Sequence, residues 1–224
     1  MITRNLNILR DDIRRKCIEI GRHPESITLV AVSKTYPVEA IKEAVAAGQR
    51  DFGENRPQEM RDKSLLVQED VLWHFIGNLQ KNKVKYVVPV AELIHSVDSE
   101  PLLYEIEKNA AKLGKVQNIL LEVKTSFEES KSGICTHEEL SRLAAYCGAS
   151  HHVHLKGLMT MAPFVEDEQI VRNSFRTLSE HREHLIRQGF DLPVLSMGMS
   201  GDYHIALEEG ATHLRIGTAI FGAR

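Results

Sequence analysis

Eight short apolar runs alternate with stretches of helical period along most of this chain, and that alternation restricts its fold more than any other feature. The runs cover residues 27–34, 50–53, 73–77, 91–97, 116–125, 153–161, 192–198 and 213–217. Between them, 38–47, 55–68, 80–87, 99–113, 136–148, 166–188 and 201–209 read as helices. An opening helix over 3–21 carries Leu6, Leu9, Ile13, Cys17 and Ile20 at three- and four-residue spacing, and Gly21 and Pro24 stop it. Gly48, Gly114, Gly148, Gly189 and Gly210 sit at or just past predicted helix ends, where a left-handed C-cap wants glycine. Strands that alternate with helices form a parallel sheet. Eight such units in 224 residues predict an α/β fold, a single TIM-type (β/α)8 barrel domain over 1–224 with an extra N-terminal helix. A doubly wound open sheet is the second expectation.

The bulk properties exclude several functions. A net charge of −3 gives no footprint for nucleic acid and no polybasic membrane anchor. No apolar run reaches the roughly 20 residues that span a bilayer, and residues 1–7 lack the apolar stretch of a signal peptide. Cys17, Cys135 and Cys147 have no metal-ligand spacing, and their odd number fits reduced thiols. The expectation is a cytoplasmic protein, with a lean to a monomer. His151, His152 and His154 would scatter their rings over both faces of a strand, so no metal site is expected.

Barrel active sites lie at the C-terminal ends of the strands, and the unusual residues cluster there. Lys34 closes the first run, on the parity of Thr28, Val30 and Val32. A desolvated lysine loses its proton more readily, and the neutral amine attacks aldehydes. The alternative is a lysine that snorkels into water. The turn Gly198-Met199-Ser200-Gly201 and the segment Arg215-Ile216-Gly217-Thr218 follow the seventh and eighth runs, where barrels often build phosphate sites. Ser200 and Thr218 add hydroxyl donors; Ser200 or Asp202 could equally cap a helix. Arg215 could sit against a pyridine nitrogen or make a barrel-wall ion pair. Asn55 could donate to a phenolic oxygen or cap the next helix. An amine that seeks an aldehyde, together with two phosphate cradles, points to pyridoxal 5′-phosphate (PLP). A barrel enzyme acting on a sugar phosphate is the reading without PLP.

Several motifs occur in the order seen in one known family. They are Ala31-Val32-Ser33-Lys34-Thr35, Phe52-Gly53-Glu54-Asn55, Trp73-His74-Phe75-Ile76-Gly77, Lys131-Ser132-Gly133, Gly157-Leu158-Met159-Thr160-Met161, Ser196-Met197-Gly198-Met199-Ser200 and the run from Arg215 to Gly222. The chain resembles the PLP homeostasis protein family, the YggS/PROSC group, over nearly its whole length. The resemblance implies a barrel similar to the N-terminal domain of alanine racemase, with PLP held as a Schiff base on Lys34. It implies that Ser200, Gly217 and Thr218 hold the phosphate and that Arg215 approaches the pyridine nitrogen. It further implies buffering or delivery of intracellular PLP, with effects on amino-acid and keto-acid balance and with PLP-dependent apo-enzymes as partners, without an established turnover. Many relatives carry a second lysine two positions after the first; here Tyr36 stands there. No role attaches to Asn78. The competing hypothesis is a PLP-dependent enzyme acting on amino acids, racemase- or lyase-like, with Tyr203, His204 or Tyr36 as a second acid/base. Because the last strand ends close to Gly222, the sequence leads us to expect no further domain over the cofactor, and one open cofactor face.

Overall fold

The structure is a computed structural model that describes residues 1–126 and 133–222. Lys131 and Ser132 of the motif named above lie outside the described residues. The elements are α1 (Ile2–Glu19), β1 (Thr28–Val32), α2 (Val38–Ala46), β2 (Asp51–Glu54), α3 (Pro57–Leu66), β3 (Leu72–Phe75), α4 (Val84–Val87), β4 (Leu93–Val97), α5 (Glu100–Lys112), β5 (Gln117–Glu122), α6 (His137–Ala149), β6 (Val153–Met159), α7 (Glu168–Arg187), β7 (Val194–Ser196), α8 (Tyr203–Glu208), β8 (His213–Ile216) and α9 (Thr218–Phe221). The strands pair in parallel in chain order, and β8 returns to β1 to close the barrel. The closed barrel is the first sequence expectation; the open sheet is excluded.

Strand alternation divides the core in two. Ile119 and Leu121 point outward and join Phe52, Phe75, Ile94 and Leu158 beneath the helices. Leu120 points inward and meets Leu93, Met159 and Val194 in a separate small cluster inside the barrel. The interior also holds polar side chains: His74, His95, Ser196 and Arg215 are all buried. In α1, the stripe Leu6, Leu9, Ile13 and Cys17 is buried as its spacing predicts, joined by Ile2. This helix lies against α2, α8 and α9, across the seam where β8 meets β1. The amide of Asn5 donates to the Ile220 carbonyl at 2.9 Å, tying the two chain ends together.

Two elements differ from expectation, and Gly148, expected as a left-handed C-cap, lies inside α6. The predicted helix 80–87 is a 3-10 turn over 81–83 followed by the four residues of α4. The short α9 was not anticipated, because four residues display no amphipathic period. Described helices include none long and apolar enough to cross a membrane.

Gly157 allows β6 and β7 to approach. A Cβ there would stand 1.8 Å from the Val194 carbonyl oxygen. Gly157→Ala must therefore push the strands apart where β5–β6 pairing already shifts register, between Ile119 and Leu120. We expect a loss of about 3 kcal/mol, the upper part of the overpacking range. The check is a lower urea midpoint at unchanged m-value.

Candidate functional site

A cavity of about 1060 Å³ opens at the C-terminal ends of the strands, and Lys34, Asn55, Ser200, Arg215, Gly217 and Thr218 all line it. Each comes from a segment that follows or ends a strand, so the barrel brings together residues from β1, β2, β7 and β8 that are up to 184 positions apart in sequence (218 − 34).

Lys34 lies just beyond the strand that the sequence predicts it to end. β1 stops at Val32, although the Ser33 N–H still donates to the Gly53 carbonyl at 3.0 Å. The chain then turns, with the Tyr36 N–H on the Ser33 carbonyl at 3.0 Å and Thr35 at φ 67°, a left-handed conformation uncommon outside glycine. A buried ionic cluster holds this turn. Lys63 Nζ donates to the Ser33 carbonyl, Glu54 Oε1 and Glu59 Oε1, each at 2.7 Å. Ser33 Oγ donates to the same Glu54 oxygen at 2.6 Å, and the Thr35 N–H donates to Glu59 at 2.5 Å. The residues on both sides of Lys34 are thus fixed through one lysine on α3. Burial pushes the Glu54 carboxyl up, against the pull of Lys63 and Ser33. Sequence reasoning missed this cluster. Its signal was a lysine on the inner face of a predicted helix, Lys63, close in sequence to Glu54 and Glu59.

At the far side of the cavity, Asp202 Oδ1 accepts from the Met199 N–H at 2.5 Å and closes the 199–202 turn, which leaves the Ser200 hydroxyl uncommitted. Gly198, at φ 94°, lets this turn pass under α8; a Cβ there would meet the Ala206 Cβ at 2.6 Å. Among the described residues the backbone N–H groups of Ser200, Gly201, Gly217 and Thr218 have no acceptor, and neither hydroxyl has a partner. Asn55 does not cap α3, whose N-cap is Arg56. Its Oδ1 is buried with no hydrogen-bond partner. An amide can flip, so the orphaned position suits either an acceptor or an NH₂ donor.

Arg215 is buried and makes no ion pair among the described residues. Instead Nη1 donates to Ser196 Oγ at 2.6 Å and Nη2 to the Thr160 carbonyl at 2.8 Å. Burial lowers its pKa to about 10. Nearby on β5, Glu122 is only 5% exposed. Burial, then the like charge of Asp98, push its carboxyl up to about 7 against the pull of Arg215. Because this folded value lies above the ordinary one, the contribution of Glu122 to stability is complete below about pH 4.5 and is lost as pH rises through 7. Glu122→Gln should remove that loss, on the order of 1–3 kcal/mol. Urea midpoints of both proteins at pH 5 and pH 8 check it, and parallel pH dependences would contradict the assignment.

None of the three residues considered as a second acid/base lines the cavity. Tyr36 stacks on Phe221 at 4.8 Å and donates to the Gly222 carbonyl at 2.6 Å. Tyr203 donates to Asp12 Oδ2 at 2.6 Å, and His204 Nε2 lies 2.9 Å from the same oxygen. No metal-binding group of three His, Cys, Asp or Glu side chains occurs among the described residues.

The arrangement presents one amine, one buried guanidinium, an unsatisfied amide and a ring of unpaired donors. That set suits a planar, phosphorylated aldehyde with a ring nitrogen. The comparisons with known proteins agree with this chemistry. Residues 8–224 match the family described as "Alanine racemase, N-terminal domain". A pyridoxal phosphate homeostasis protein of Aquifex aeolicus is 43% identical over 98% of this chain and 96% of its own length. PipY of Synechococcus elongatus, solved with PLP bound, superposes with a TM-score of 0.87 at 36% identity, over 99% of this chain and 100% of that one. Alanine racemase of E. faecalis shares the fold, with a TM-score of 0.72 at 18% identity, over 100% of this chain and 58% of that one. On the family match and the full-length relatives, this chain belongs to the pyridoxal phosphate homeostasis protein family, built on the alanine racemase N-terminal fold.

Proposed function

We propose that this protein binds PLP at the barrel mouth and keeps the cofactor available, buffering it or passing it on. The observation that supports this most is the convergence of Lys34, Asn55, Arg215 and the unpaired donors at 200–201 and 217–218 on one cavity. Lys34 would hold the aldehyde carbon covalently. The Ser200 and Thr218 hydroxyls, with the N–H groups of Gly201 and Gly217, would hold the phosphate. Asn55 would take the phenolic oxygen. PLP supplies an aldehyde and an electron-withdrawing ring. A guanidinium beside the ring nitrogen donates to it and keeps it unprotonated, which weakens the electron sink that most PLP enzymes use.

The binding of Tyr36, Tyr203 and His204 to groups outside the cavity favours a carrier over a racemase or lyase. Transfer to apo-forms of PLP-dependent enzymes, a monomeric state and a cytoplasmic location belong to the same proposal.

Titration with PLP, followed by absorbance, tests the binding. A saturable change at one equivalent is expected, and an unchanged spectrum would refute the reading. Solvent-deuterium exchange at the α-carbon of a panel of L-amino acids tests the carrier assignment; rates above those with free PLP would return the enzyme reading. Ser200→Ala and Thr218→Val should each weaken PLP binding by about 1–3 kcal/mol, the cost of one hydrogen bond to a charged group. Unchanged affinity in both would remove the phosphate assignment.

A further inference from the structure

A hydrogen-bonded chain crosses the barrel interior from the mouth to the opposite end. Arg215 Nη1 donates to Ser196 Oγ at 2.6 Å. Ser196 Oγ lies 2.8 Å from His95 Nδ1, His95 Nε2 lies 2.9 Å from His74 Nδ1, and His74 Nε2 lies 3.0 Å from Asp51 Oδ1. The His95–Ser196 bond joins β4 to β7, which are not neighbours, so it spans the interior. His95 is fully buried, and Ser196 is likewise. Asp51 starts β2 at the other end; its side chain is 22% exposed and lines a separate cavity of about 510 Å³ with Arg10, Arg14 and Arg50.

The two ends dictate the direction of every bond between them. A guanidinium only donates and a carboxylate only accepts. Asp51 therefore accepts a hydrogen bond from His74 Nε2–H. Ser196 Oγ receives Arg215 and has His95 Nδ1 as its other neighbour, so its hydroxyl donates there; His95 then carries its proton on Nε2 and donates to His74 Nδ1. Reversing the chain would strand the Ser196 proton, since that hydroxyl has no third neighbour in hydrogen-bond reach among the described residues. Burial and the neighbouring His74, Arg215 and His213 hold His95 well below its ordinary pKa, in keeping with a neutral ring. His213 packs on both rings at 6.1 and 6.4 Å but bonds to Thr212 Oγ1, outside the chain. Aligned hydrogen bonds in a low-dielectric interior polarise one another.

We propose that Ser196, His95, His74 and, from the far end of the barrel, Asp51 are positioning residues for Arg215, holding its guanidinium toward the cavity through a single unidirectional hydrogen-bond chain. What Arg215 then meets there rests on the reading of the cavity as a PLP site.

The first arm of the test needs no cofactor. Nitrogen-15 NMR of the histidine rings in the PLP-free protein near neutral pH should show both His74 and His95 protonated on Nε2 alone. A proton on Nδ1 of either ring would overturn the chain. The second arm compares PLP affinity and the absorbance maximum of the bound cofactor in wild type, Ser196→Ala, Asp51→Asn and Asp51→Glu. Ser196→Ala and Asp51→Asn should both weaken binding by about tenfold and move the band in the same direction, and Asp51→Glu should restore it. A band that moves in Ser196→Ala but not in Asp51→Asn would overturn the long-range coupling. Failure of the wild type to bind PLP would sink the cofactor reading alone, and the NMR result would still decide the chain.

Discussion

Lys34→Ala is expected to abolish the covalent adduct that borohydride traps between this protein and PLP, while the folded state survives. The adduct needs an amine, and Lys34 is the only lysine among the described residues lining the cavity. None of the turn bonds described above uses that amine. The turn around Lys34 is built by main-chain bonds of Ser33 and Tyr36 and by the Glu59 bond to the Thr35 N–H. Far-UV circular dichroism and the urea midpoint should therefore change little. PLP should still bind weakly through its phosphate. The same adduct at wild-type yield in the mutant would show that another lysine anchors the cofactor.

The second large effect is on stability. Lys63→Met should cost about 3–5 kcal/mol, because it leaves a buried carboxylate without its cation. The Glu54 side chain has no exposed surface, and Lys63 supplies its ion pair at 2.7 Å. One Glu54 oxygen, Oε2, has no hydrogen-bond partner even with the lysine in place. Loss of the cation should force Glu54 either to take a proton or to move outward, and the Ser33–Thr35 turn would loosen with it. The double mutant Glu54→Gln/Lys63→Met should lose less than Lys63→Met alone, since no buried charge remains. Urea denaturation of the two variants checks this. A Lys63→Met midpoint equal to that of wild type would contradict the role given to the cluster.

Most of the fold was legible because barrel units repeat one signal: an apolar run followed by an amphipathic stretch. The boundaries that shifted were at strand ends, where β1 stops at Val32 and leaves Lys34 in a turn. Local pattern could not show that, since Glu59 and Lys63 on α3 of the next unit hold the turn. The six expected site residues converge on one cavity because each follows or ends a strand, where topology gathers distant segments. Two capping alternatives are decided by position: Asp202, not Ser200, stands at the N-cap of α8, and Arg56 stands at the N-cap of α3 where Asn55 was considered. The interior chain from Arg215 to Asp51 was the least legible. His74 stands in one of the sequence motifs, but the bond from His95 to Ser196 joins residues 101 apart and exists only once the barrel closes.

Peptide mass spectrometry of the wild-type protein, incubated with PLP and reduced with borohydride, tests the central claim most directly. The account predicts one pyridoxyl group, carried by the peptide containing Lys34. An unmodified protein, or a pyridoxyl group on a different lysine, would contradict it.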